Sequence, residues 1–527
     1  MTLNHSINRI VIVGGGTAGW LTAGVLAAEH CAPSMSKPGL PSVEIVLVES
    51  PDISTIGVGE GTWPSMRSTL KKMGISETQF ITACDASFKQ GTLFKNWKTG
   101  VDDAYTHPFT VPRGYAETNL SVQWQSFKDT VSFAEAVSPQ NTLMFENLAP
   151  KQISTPEYAF HVNYGYHLNA AKFAQLLMEY CTQNLGVVHL KANVVGVNSQ
   201  DNGDIEYLIT DTQGNVAGDL FIDCSGSRAL LLGEHFGIPL CSKKQFLFND
   251  SALASQVPYV SERDPIASST ISCAQSHGWV WDIGLPTRRG IGHVYSSAHA
   301  SDEQVAKSLR SYIAQTVSEE LAESTSFRKV SFDPGHRAKF WHKNCVAIGM
   351  SAGFIEPLEA SALVLVELSA AMIAEQLPAN RQIMDTVAKR FNDKFLYRWS
   401  KIIEFLKLHY VLSKRADSDY WQDNVNADSI PDGLQELLDL WRWQSPWHRD
   451  TLHVDEIFPS ASYQYVLYGM GFVTEPSFTF RKSDDDFESQ AKVLFSDNAK
   501  HTQQLVSTLP SNRELIDKIH VHGLQRI

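Results

Sequence analysis

The sequence predicts an α/β fold organised around a parallel sheet near the N-terminus, and three stretches predict it. Ile10-Val-Ile-Val-Gly-Gly-Gly-Thr-Ala-Gly-Trp20 is an apolar run that breaks into glycines, the pattern of a buried strand, a tight turn and the first turn of a helix. Val43-Glu-Ile-Val-Leu-Val-Glu49 reads as a second buried strand that ends in an acid. Gly218-Asp-Leu-Phe-Ile-Asp-Cys-Ser-Gly226 is a third strand stopping in small residues, so the opening unit returns much later in the chain to finish its sheet.

Within the first stretch, Gly14, Gly16 and Gly19 have the Gly-x-Gly-x-x-Gly spacing of a dinucleotide site. Gly14 allows the turn, Gly16 lets backbone approach a pyrophosphate, and Gly19 lets the helix pack closely on the strand. Thr17 and Ala18 fall at the helix start, whose unpaired N–H groups and positive dipole end suit phosphate. Glu49 is placed to accept from a ribose hydroxyl. Its distance from the glycines exceeds the usual ~20 residues because the Pro/Ser/Gly-rich segment 31–41 is a loop insertion.

Composition narrows the class. A chain of 527 residues buries a large core and holds two or more closely packed substructures. A formal charge of −13 argues against a nucleic-acid surface. Seven scattered cysteines without a Cys-x-x-Cys pair fit a reduced, cytoplasmic compartment better than a disulfide framework or a metal site. The apolar runs are interrupted by glycine or acid, so no membrane span is expected.

Taken in order, Ser54-Thr-Ile-Gly-Val-Gly-Glu-Gly-Thr-Trp-Pro64 is a glycine-rich loop, suited either to lie against a flat ligand or simply to lead into a helix over 66–73. Residues 77–97 show helical spacing, with Phe80, Cys84 and Phe88 on an apolar side and Lys89 beside them. A lysine in a helix is ordinarily solvated; only burial would make it a tunable acid or nucleophile. Residues 101–155 are irregular and rich in aromatics, consistent with a substrate-side sheet region. A helix to Cys181 and strands over 187–197, 205–210 and 218–223 follow. This order resembles the flavin oxidoreductases of the aromatic-hydroxylase type, a resemblance that implies FAD rather than NAD.

Gly278-Trp-Val-Trp-Asp-Ile-Gly-Leu-Pro286 places Trp279 and Trp281 on one side of a strand, as an aromatic wall or a packed core pair. The stretch from Cys345 to Leu363 repeats the theme of strand, small residues and helix start, with the helix running over 360–377. Its N-terminal amides suit an anion, and Glu359 sits at that start, where it also reads as a helix-capping acid.

Together these residues resemble the flavin-dependent halogenases of the tryptophan halogenase group. The resemblance runs through nearly the whole chain and rests on the glycine loop, Ile56-Gly-Val-Gly-Glu60, Phe88-Lys89 with Phe94 and Trp97, the Trp-x-Trp-x-Ile segment, and Gly353-Phe-Ile-Glu-Pro-Leu-Glu359. It implies that reduced FAD, supplied by a separate NAD(P)H flavin reductase, reacts with oxygen and halide to give hypohalous acid. Lys89 would relay the oxidant, by a hydrogen bond or as a haloamine, to an electron-rich aromatic such as an indole or tryptophan. Glu359 would orient the halogen or stabilise the charged ring intermediate. Val194, Met350 and Leu363 would join the glycine loop and Glu49 around FAD. The amides of Ser361 and Ala362 would bind halide, and Trp279 and Trp281 would keep substrate away from the flavin. A homodimer is compatible with the resemblance.

Three departures from the family pattern stand out. Gly284 and Leu285 intervene before Pro286, and Ala360-Ser361-Ala362 replaces the usual Ser-Thr-Gly, which favours bromide, the more easily oxidised halide, alongside chloride. The paired tyrosines and acid that hold an amino-acid backbone in the family are not recognisable, so an indole-like aromatic is expected as readily as free tryptophan. The expected architecture is a FAD-binding and substrate-side box over 1–379, with the FAD unit drawn from 1–60, 155–235 and 335–379, followed by a mainly helical C-terminal subdomain over 380–527. Trp399, Trp421, Trp441, Trp443 and Trp447 in the latter would line a pocket or anchor helices. The alternatives are a flavin-dependent aromatic monooxygenase and a non-catalytic binding protein on the same fold.

Overall fold

The computed structural model describes residues 6–31, 42–53, 59–453, 455–475 and 484–526, without the side chains of 484–486. The loop insertion at 32–41 and the first half of the glycine-rich segment, including Ile56 to Val58, lie outside the described residues. The chain forms two units, each assembled from three separate segments. The first takes Met1–Asp85, Leu168–Lys243 and Asp333–Trp399; the second takes Ala86–His167, Lys244–Phe332 and Ser400–Ile527.

The first unit carries a six-stranded sheet in the order Trp341–His342, Cys345–Ala347, Leu220–Asp223, Arg9–Val13, Glu44–Glu49, Val188–Lys191. All neighbouring pairs are parallel except the short hairpin of the first two strands. Ile10 pairs with Leu220 on one side and Ile45 on the other, and Ile10, Val11, Ile12, Val46 and Phe221 are fully buried. Continuous apolar runs of this kind are what a parallel sheet covered on both faces requires. Each such side chain contributes roughly 1.5–3 kcal/mol on burial. The helix Thr17–His30 packs between Ala170–Asn184 and Ser361–Glu375.

The apolar run 187–197 is not one strand. Val188–Lys191 extends the parallel sheet, whereas Val194–Ser199 pairs with Ile205–Thr210 in a separate three-stranded sheet. Asn193 diverts the chain between them. Its side chain donates to Asp52 and Asp211 and accepts from Ser50, an arrangement that no pattern of hydrophobicity announces.

The second unit is built on a seven-stranded sheet in the order Arg328–Ser331, Ser251–Pro258, Arg288–Tyr295, Gly278–Gly284, Thr270–Gln275, Gly91–Lys95, Ala104–Pro108. Here the helical reading of 77–97 is corrected: only Glu77–Ala83 is helical, and Ser87–Lys89 and Gly91–Lys95 are strands. Asp85 takes a left-handed conformation with φ 54°, which ends the helical path. Gly91, at φ 156°, lies so close to the facing strand that a Cβ would come within 2.3 Å of the His107 carbonyl oxygen. Ladder pairing with distant segments overrides the local helical period.

The C-terminal part is helical: Arg381–Val411, Asp419–Asn424, Asp432–Trp441, Ser460–Gly469, Asp484–Thr508 and Asn512–His522. Trp421 and Trp441 are buried anchors, Trp421 donating to the Gln275 carbonyl, whereas Trp443 is 58% exposed. Among the described residues no helix is long and apolar enough to cross a membrane, and the seven cysteines are free thiols.

Candidate active site

In the first unit a cavity of about 530 Å³ opens where the parallel strands end. Gly14, Gly16, Thr17 and Ala18 form one wall, and Glu49 and Val194 another. Met350, Ser361, Ala362 and Leu363 complete the set of expected ligand-binding residues that the fold brings together. Gly19 does not line it. A Cβ there would fall 1.9 Å from the Gly14 carbonyl oxygen, so this glycine serves the close approach of helix to turn.

The glycine turn is built from the sheet outward. Gly14 N–H donates to the Val48 carbonyl, and a Cβ on Gly14, whose φ is 121°, would lie 2.2 Å from the Cys224 carbonyl oxygen. Gly16 instead faces open space, with nothing within 4 Å of an added Cβ. It caps the helix Thr17–His30 in an extended conformation without a side-chain cap, leaving the first-turn amides for a ligand. Gly15, which the spacing argument passed over, is required because Glu49 lies against it: a Cβ would fall 2.2 Å from the Glu49 carboxyl carbon. His189 Nε2 lies 2.7 Å from the Glu49 carboxylate and meets Trp20 edge-on. An uncapped helix start, a glycine opening onto the cavity and an acid at the end of the second strand fit a dinucleotide such as FAD.

Asp223 holds the third strand's turn. Its carboxylate accepts from Ser225 N–H and Oγ and from the Leu231 and Leu232 amides. Among the cavity residues not singled out from the sequence as cofactor neighbours are Glu60, whose carboxyl is pushed up to about 7 by burial, and Trp399, a helix anchor that lines the cavity.

At the far wall, Ala360 adopts a left-handed conformation at φ 53°, ψ 42°, and the helix Ser361–Glu375 begins directly after it without a side-chain cap. Trp63 Nε1 donates to the Glu359 carbonyl at 2.8 Å, fixing the turn. Glu359 is 5% exposed and is not among the cavity-lining residues.

The second unit holds Lys89, Trp279 and Trp281. Lys89 is 1% exposed, far from the solvated lysine of an ordinary helix, and its Nζ lies 5.5 Å from the Phe109 ring centroid. Its strand pairs antiparallel with 165–167, placing Ser87 opposite His167, Phe88 opposite Tyr166 and Lys89 opposite Gly165. Phe94, one strand on, stacks on Tyr105 at 4.6 Å and is fully buried, as is Trp97. Trp279 and Trp281 share a face of the strand Gly278–Gly284; Trp279 is fully buried 6.3 Å from Trp97, and Trp281 opposes Gly292. The intervening Gly284 and Leu285 are accommodated by a tight hairpin in which Leu285 N–H donates to the Arg288 carbonyl.

Fold and cavity define a dinucleotide-binding α/β protein with a buried lysine in a separate antiparallel sheet. The family model for tryptophan halogenase matches residues 9–485. The 7-chloro-L-tryptophan 6-halogenase KtzR of Kutzneria sp. (strain 744) is 32% identical over 97% of this chain and 99% of its own. The crystal structure of a tryptophan halogenase from Shewanella frigidimarina NCIMB 400 superposes with a TM-score of 0.95 at 52% identity, covering 99% of both chains. BrvH, a flavin-dependent halogenase from Brevundimonas sp. BAL3, superposes at 0.84 with 29% identity over 97% of this chain and 99% of its own. The chain belongs to the tryptophan halogenase family and is a flavin-dependent halogenase, an oxidoreductase.

Proposed function

We propose that the protein halogenates an electron-rich aromatic, an indole or tryptophan, with bromide or chloride, using FAD reduced by a separate NAD(P)H flavin reductase. The observation that carries this reading is the burial of Lys89 opposite a residue without a side chain, within a family whose named relatives halogenate tryptophan. When bound, reduced FAD supplies, with oxygen and halide, the hypohalous acid.

Gly14, Gly16, Thr17 and Ala18 hold the pyrophosphate on backbone amides, Glu49 accepts from the ribose, and Val194, Met350 and Leu363 cover the remainder. The Ser361 and Ala362 amides receive the halide at a helix start that favours an anion. Lys89 Nζ would hold hypohalous acid by a hydrogen bond, or exchange an N–H for an N–halogen bond as the halogen–oxygen bond breaks and water leaves. Excluded from water, the amine presents one oxidant in one direction, whereas free hypohalous acid reacts indiscriminately. Glu359 orients the halogen or stabilises the positive charge on the ring and accepts its proton. Trp279 and Trp281 form the aromatic wall that keeps the substrate apart from the flavin. A homodimer and a cytoplasmic location accord with this reading.

The test is incubation with FAD, a flavin reductase, NADH, indole or tryptophan, and each halide, followed by mass spectrometry. A halogen isotope pattern in the product supports the reading and ranks the halides. A hydroxylated product without halogen would replace it with a monooxygenase.

A further inference from the structure

His167 is fully buried, and its position relative to Lys89 follows from strand geometry. In the antiparallel pair, Ser87 and Lys89 share a face with His167 and Gly165. Lys89 opposes Gly165, so no side chain stands directly across from it, and His167 is its diagonal neighbour on that face. Ser87 is committed elsewhere, donating to the Gly284 carbonyl at 2.6 Å.

The two ring nitrogens of His167 differ. Nε2 lies 2.8 Å from Thr270 Oγ1, on the strand that flanks Gly278–Gly284, whereas Nδ1 is buried and has no hydrogen-bond partner among the described residues. If Nε2 carries the proton it donates to Thr270, and Nδ1 is left as a lone pair. The other tautomer would bury an N–H with no acceptor, the costlier arrangement. Burial, and secondly the charge of Lys89, hold the imidazole well below its ordinary pKa, so the ring stays neutral.

The geometry points to His167 as a positioning residue for Lys89, its Nδ1 lone pair serving as the acceptor that orients the lysine amine through one bridging water. This inference rests on the relay role proposed for Lys89. Titratable groups on the packed elements include Tyr166 on the facing strand, Tyr164 just before it, His107 opposite Thr92, Lys151, whose ammonium lies against the Phe88 and Tyr164 rings, and Arg513 and Glu514 on the last helix. Asn512 donates to the Phe88 carbonyl from the last helix.

Two substitutions separate the ring's two halves. His167→Asn keeps an acceptor where Nδ1 stands and loses Thr270; His167→Gln keeps a partner for Thr270 and loses the Nδ1 lone pair. The amine is followed without turnover by NMR titration of lysine labelled at Cε, with the Lys89 signal assigned from Lys89→Arg. In His167→Gln the Lys89 midpoint is expected to fall by about half a unit or more, because an acceptor favours the ammonium, while His167→Asn stays near wild type. The yield of halogenated product per flavin reoxidised should drop in the same order, about tenfold for His167→Gln, with substrate KM unchanged. Midpoints unchanged in both variants, or shifted only in His167→Asn, would overturn the inference and leave His167 a structural tie to Thr270. Full product from Lys89→Ala would instead overturn the relay itself, whatever the titration shows.

Discussion

Trp281 lies over Gly292 on the neighbouring strand, where any Cβ would fall 2.2 Å from its Cη2 and Cζ2 atoms. The glycine is thus part of the tryptophan's seat. Beside it, Asp282 points to the other face, where Arg289 and the Tyr312 hydroxyl donate to it and lock the strand's register against the helix Asp302–Thr316. Gly292→Ala is expected to force the indole aside at about 1–3 kcal/mol of overpacking strain. A lowered melting temperature together with altered Trp281 fluorescence checks this. An unshifted spectrum would show that the backbone gives instead.

Lys89 and Glu359 are assigned to separate steps, so their variants should fail differently. Lys89→Ala is expected to cut halogenated product at least about a hundredfold while flavin reoxidation continues. Glu359→Gln keeps the shape and removes the charge, and should slow halogenation severely without weakening FAD binding. Product mass spectrometry alongside oxygen consumption distinguishes the two; equal product from Lys89→Ala removes the lysine from the mechanism.

The glycines of the first turn make opposite predictions. Gly16→Ala meets no protein atom, so its fold should persist while its methyl group intrudes on the ligand, raising the FAD Kd by about tenfold or more. Gly19→Ala collides with the Gly14 carbonyl and should destabilise the fold by about 2–4 kcal/mol. Flavin fluorescence titration and thermal unfolding of the two proteins, measured side by side, decide whether the roles are divided in this way.

Glu367 gives the unit a pH dependence. It is buried, accepts from Ser65 and Thr69, and has its carboxyl raised by burial from 4.5 to about 7. Between those values the folded chain keeps a proton that the unfolded chain has released, so stability falls as pH rises. The contribution is complete below the unfolded value and lost as pH passes through 7, a change on the order of 3 kcal/mol. Glu367→Gln should therefore gain melting temperature relative to wild type from pH 5 to pH 8. A difference constant across that range would mean the carboxyl titrates normally.

Much of the first unit was legible in order along the chain. The buried runs at Ile10, Val46 and Phe221 became neighbouring parallel strands, because strands covered on both faces must be continuously apolar. The cavity-facing Gly16 and the packing Gly19 were separable by spacing alone. The stretch around Lys89 was not legible, since Phe80, Cys84 and Phe88 repeat at a helical interval that continues past Asp85, where the chain turns left-handed and the helix has ended. Nothing local signals that Ser87–Lys89 will find 165–167 as a partner. Nor does sequence spacing show that Asn193 splits one apolar run between two sheets.

The amino-acid sequence by itself determined the dinucleotide turn and the strand-then-helix start before Ser361, because each is encoded within a few consecutive residues whose backbone demands are local, and it determined the family through short motifs spread along nearly the whole chain. The tertiary structure decided which polar groups are removed from water. Lys89 is buried opposite Gly165, His167 is neutral beside Thr270, and Trp281 is seated on Gly292, each through a partner far away in sequence. Burial and charge environment are sums over such distant neighbours, so the chemistry of the lysine emerges only once the strands have paired.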